Sequence, residues 1–181
     1  MALLGKRRRG STAVLLSLCA LLAATGCARA ESLEDAIKAT YVYKFAPFVT
    51  WPAAAHSDVF TVCVFGADDV SALLPQATAG QEVDGRHIAI RSLTAADVPS
   101  DCRILYVANA PAAQPLLAAL HGRSILTVTD GNSPEHGIVQ FIVIDHHVRF
   151  DIDEKLAAQS GLLISSKLLG LAHAVAPQGR E

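Results

Sequence analysis

The segment Ile138 to His173, IVQFIVIDHHVRFDIDEKLAAQSGLLISSKLLGLAH, most constrains what this chain can fold into. Ile138 to Ile144 is a nearly continuous apolar run, the pattern of a strand covered on both faces. Asp145 and His146 fit a tight turn. Val148, Phe150 and Ile152 then alternate with Arg149, Asp151 and Asp153, the period of a half-buried strand. A short helix is expected from Asp153 to Gln159, broken near Ser160-Gly161. A final helix with a broad apolar face, Leu162, Leu163, Ser166, Leu169, Leu171 and Ala172, is expected to follow.

Upstream, strands and helices alternate. Ser32, with Asp35 three residues on, reads as the cap of a helix running to about Ala46, with Ile37, Tyr41 and Phe45 on its apolar face. Pro47 bends or stops it. Phe60 to Phe65 is a strand, followed by Gly66 and a helix to about Gln76. Gln81 to Gly85 reads as a turn-rich link, His87 to Ile90 as a short strand, and Thr94 to Asp101 as a loop. Arg103 to Val107 is a strand, and Pro111 near N1 opens a helix to about Leu120, stopped by Gly122. Ser124 to Thr129 is a further strand. This order predicts a single-domain α/β sandwich: a mainly parallel or mixed sheet flanked by helices, with a C-terminal antiparallel hairpin and helix.

The first 30 residues read as a secretory signal. Lys6, Arg7, Arg8 and Arg9 precede a 13-residue apolar run from Thr12 to Ala24, short of the roughly 20 residues of a membrane span. Ala28-Arg29-Ala30 fits a cleavage site, leaving residues 31–181 as the mature domain. Ala24-Thr25-Gly26-Cys27 offers a second reading, a lipobox with lipid on Cys27. Removing residues 1–30 takes away five basic residues and no acidic one, so the formal charge moves from −2 to −7. That balance argues against a nucleic-acid partner. Cys63 and Cys102 remain, an even pair in an exported chain. They read as a disulfide, with two separate buried thiols as the alternative.

No catalytic constellation emerges. Gly66 with Asp68 and Asp69 lacks the glycines of a phosphate loop, and the acids fit the helix dipole instead. His146 and His147 have no ligand-spaced partner. Ser165, Ser166 and Lys167 do not face one another on a helix. Asp151 and Asp153 share a strand face with Arg149, which reads as a charged exterior stripe. No enzyme activity, metal or cofactor is expected. Phe48, Trp51 and Pro52 read either as core plugs or as part of a recognition surface.

The order of apolar strand, VRFDID, short helix and SGLLISSKLLGLA, together with YVYKFAPFVTWP near the mature start, resembles the YfiR family of periplasmic proteins. Asp153 stands where that family more often has Asn; both residues cap helices. The resemblance implies a cysteine pair at matching places. It also implies that a second pair found near the last hairpin of some relatives is absent here, where Gly137 and Ile144 stand. In function it implies a periplasmic repressor that binds the sensory domain of an inner-membrane diguanylate cyclase of the YfiN type and lowers cyclic-di-GMP output. An outer-membrane lipoprotein of the YfiB type would sequester it, and a homodimer is allowed. The expected contact residues are Phe48, Trp51, Pro52, Arg149 and Asp151. The alternative reading is a periplasmic small-ligand sensor acting on a sensor kinase or another partner.

Overall fold

A computed structural model describes residues 33–52, 58–94, 98–108, 112–131 and 136–177. The signal segment, Cys27, the Ser32 cap and Pro111 lie outside the described residues.

Strands form where β-branched and aromatic residues concentrate. They are β1 (Val49–Thr50), β2 (Val59–Phe65), β3 (Glu82–Val83), β4 (Arg86–Leu93), β5 (Cys102–Val107), β6 (Leu126–Asp130), β7 (Val139–Ile144), β8 (His147–Asp153), β9 (Leu163–Ile164) and β10 (Ala174–Ala176). The helices are α1 (residues 33–44), α2 (Asp69–Thr78), α3 (Ala113–Ala119), α4 (Glu154–Gln159) and α5 (Ser166–Leu169). Eight strands make one sheet in the order β10-β8-β7-β6-β5-β2-β4-β3, and β1 pairs with β9 apart from it. Strands β4, β2, β5, β6 and β7 run parallel. The β7–β8 and β3–β4 pairs are antiparallel, and β10 joins β8 in parallel. This is the mixed-sheet α/β architecture that the alternating pattern predicts.

Two cores flank the sheet. On one face Phe60, Val62 and Val64 of β2 and Ile104 and Tyr106 of β5 meet Val42 of α1, Phe45 just beyond it, and Val70 and Leu74 of α2. On the other, Cys63, Phe65, Leu105 and Val107 pack under Leu116 and Leu117 of α3. Successive strand residues point to opposite faces, so a central strand must be apolar throughout. Cys63 and Cys102 are fully buried in the second core and form a disulfide between adjacent strands, Cα to Cα 5.9 Å.

Several expectations need correction. Strand β7 is not covered on both faces: Val139 and Phe141 are buried, but Val143 and Ile144 are 43% and 37% exposed. No residue of β7 or β8 joins the second core, so among the described residues the outer face of the hairpin carries no buried apolar layer. The final helix is largely replaced. Leu163 and Ile164 pair with β1, and Ser165 donates its backbone N–H to Phe48 O at 2.8 Å. Its hydroxyl then accepts from Leu168 N, so α5 starts only at Ser166. The chain ends the described fold as strand β10.

The first helix gives way at Phe45 to a 3-10 turn, Ala46–Phe48, because Pro47 has no N–H to continue it. The link at 81–85 holds strand β3 and a two-residue Asp84-Gly85 turn, both at positive φ, into a β4 longer than expected. Asp145 and His146 form the β7–β8 turn with φ of 49° and 59°. Asp153 caps α4, accepting from Leu156 N at 2.7 Å. Gly137 precedes β7 and Ile144 ends it, and neither position carries a cysteine.

Candidate functional site

Three segments distant in sequence enclose one pocket of about 260 Å³. The last turn of α1 contributes Tyr41 and Lys44, and the turn that follows it adds Phe45 and Phe48. The start of β8 gives Val148, Arg149 and Phe150, and the α5 region gives Leu168 and Leu171. Strand β10 pairs with β8 only along Asp151–Asp153. The strand ahead of that point therefore remains free to line the pocket. Behind the pocket lies an aromatic cluster. Phe45 meets Phe150 edge-on at 5.0 Å between centroids and Phe141 at 5.9 Å, and Tyr41 meets Phe150 at 6.3 Å. Such packing fixes ring positions as well as burying area.

The rim is cationic. Lys44 and Arg149 are both exposed, and among the described residues neither makes an ion pair. Lys44 Nζ lies 5.5 Å from the Tyr43 ring centroid, close enough for a weak cation–π contact. The expected compensation of Asp151 by Arg149 is not made. Asp151 Oδ1 instead accepts from Ala174 N at 2.9 Å and lies 3.1 Å from His173 Nδ1. It secures β10 to β8.

Of the five residues singled out as partner contacts, Phe48 and Arg149 line the pocket together. Trp51 is half-buried, stacked edge-on against Phe60 at 5.7 Å, and its Nε1 is buried with no hydrogen-bond partner among the described residues. Pro52 is exposed and lies next to Gly161, where a Cβ would sit 3.5 Å from its Cγ. Trp51, Pro52 and Asp151 thus lie outside the pocket lining.

A polar cluster escapes the sequence reading. Lys38 sits on the inward face of α1 with its side chain 7% exposed, and Nζ donates to Asp130 Oδ2 at 2.8 Å. Asp35 lies 3.9 Å from the same Nζ. Burial raises the Asp35 pKa above the ordinary carboxylate value, opposed by Lys38 and reinforced by Asp69, Asp130 and Asp68. Nearby, Tyr106 donates to Asp68 Oδ2 at 2.7 Å. Burial, then that hydrogen bond, push the phenol far above its usual pKa. Asp68 also caps α2 by accepting from Ser71 N. The signal for Lys38 was its register: it stands four residues before Val42 and seven before Phe45, on the buried stripe.

A family model described as YfiR/HmsC-like matches residues 35–173, which takes in most of α1, Cys63 and Cys102, the pocket and the terminal hairpin. No curated protein matches the chain. On the strength of that match, the chain belongs to the YfiR/HmsC-like family of periplasmic regulators of diguanylate cyclase signalling.

Proposed function

We propose that this protein represses an inner-membrane diguanylate cyclase by binding its periplasmic sensory domain. The observation that favours this reading is the meeting of Phe48 and Arg149 at one apolar, cation-rimmed pocket. Exposed apolar surface beside an unpaired Arg is typical of interface anchors. Repression works through differential affinity: the repressor binds the inactive arrangement of the sensor more tightly, and that difference shifts the population. A tenfold preference supplies about 1.4 kcal/mol. The cyclase is of the YfiN type, and an outer-membrane lipoprotein of the YfiB type relieves repression by competing for the repressor. Export by the first 30 residues places the mature domain in the periplasm with its partners.

The test is cellular cyclic-di-GMP in a strain lacking this protein, complemented with wild type or Arg149→Glu. Wild type lowers the nucleotide, and the folded charge-reversed variant fails to. Equal nucleotide in all three strains contradicts the repressor reading.

A further inference from the structure

We infer that the pocket between α1, β8 and α5 is a binding site for a small free amphipathic carboxylate. Its walls are apolar: the Phe45, Phe48 and Phe150 rings, with Leu168 and Leu171 opposite. Leu171 is 66% exposed at the mouth of the pocket. The charged residues on the lining are both cations, Lys44 and Arg149. Three cations elsewhere sit with carboxylates, Lys38 with Asp130, Arg86 with Asp84 and Arg91 with Asp101, while Arg103, Lys155 and Lys167 make no ion pair among the described residues and stand singly, away from the pocket lining. Here two stand unpaired beside one apolar cavity in a chain with more acids than bases. Charge complementarity therefore selects an anion, and the walls select an apolar body. The volume of about 260 Å³ falls just below the usual 300–1,000 Å³ of small-molecule sites. A compact monoacid fits that space, whereas a partner helix needs a longer groove.

Phe48 and Arg149 are also proposed cyclase contacts, so a bound acid competes with the cyclase. That consequence rests on the repressor reading; the site itself does not.

The test uses the ¹⁵N-labelled chain isolated after export, titrated with octanoate and, separately, with neutral octanamide. The expected result is saturable amide shifts confined to residues 41–48, 148–150 and 168–171, with octanoate binding more tightly than octanamide. Arg149→Gln and Lys44→Gln should each weaken octanoate roughly threefold to fivefold, as befits exposed ion pairs, and weaken octanamide by less. Leu171→Ser should weaken both ligands. Equal affinity for the two ligands, shifts elsewhere, or no saturation overturns the inference. If octanoate fails but the cyclase's sensory domain shifts those same amides, the free-acid site is refuted while the repressor reading stands.

Discussion

Lys38 in α1 and Asp130 at the end of β6 form a largely buried ion pair, Nζ to Oδ2 2.8 Å, across 92 residues of sequence. It ties the first helix to the centre of the sheet, and α1 in turn carries Tyr41 and Lys44, with Phe45 just after it, to the pocket. Removing one partner leaves the other charge buried and unmatched, a loss of about 3–5 kcal/mol in comparable sites. Lys38→Met should therefore lower unfolding stability by about 3 kcal/mol in urea. The double variant Lys38→Met/Asp130→Leu should cost less than Lys38→Met alone, because it leaves no orphaned charge. A double variant costing as much as the sum of the singles would show that the two side chains do not act as a pair.

Asp35 makes a prediction about pH. Its pKa is raised in the folded protein, chiefly by burial. The native state therefore holds the proton more tightly than the unfolded state does. Its contribution to stability is full below the unfolded value, about 3.9, and is lost as pH rises through the folded value. Asp35→Asn should then stabilise the protein at neutral pH, with the advantage shrinking as pH falls toward that unfolded value. Urea midpoints measured across that range test this. A variant advantage that grows on acidification would reverse the sign.

The Cys63–Cys102 bond closes a loop with a sequence separation of 39. Opening such a loop costs roughly 3–4 kcal/mol through the unfolded chain's entropy. Unreduced peptide mapping should recover the linked pair, and Cys63→Ala/Cys102→Ala should lower stability by that amount. Free thiols in the exported protein would refute the bond.

Trp51 and Arg149 separate structure from recognition. Trp51 packs on Phe60 and is half-buried, so Trp51→Ala should cost about 2–3 kcal/mol, below the roughly 3–5 kcal/mol of a fully buried ring. Arg149 is exposed and unpaired among the described residues, so Arg149→Glu should leave the melting temperature within about 2 °C. An Arg149→Glu protein that is strongly destabilised would place Arg149 among the structural residues.

The sheet was legible in the sequence because its central strands are apolar on consecutive residues. The hairpin followed from the alternation around Phe150. The terminal segment departs from the expected helix because Leu162 to Ala172 carries helical spacing, while the pairing of Leu163 and Ile164 with β1 is a tertiary contact invisible to local pattern. The pocket was half legible. Phe48 and Arg149 were singled out for separate reasons, yet their meeting depends on the packing of α1 against β8. Lys38 was missed because a lysine on an apolar stripe reads as solvated until the fold brings Asp130 to it.

The most direct test of the repressor account is a pull-down. The tagged, oxidised chain, wild type or Arg149→Glu, is incubated with detergent-solubilised inner membranes of the source bacterium, and retained proteins are identified by mass spectrometry. The account predicts that wild type retains a membrane protein carrying a periplasmic sensor and a diguanylate cyclase domain, and that Arg149→Glu loses it. Retention of a sensor kinase alone, or of no membrane protein by a folded wild-type chain, would contradict it.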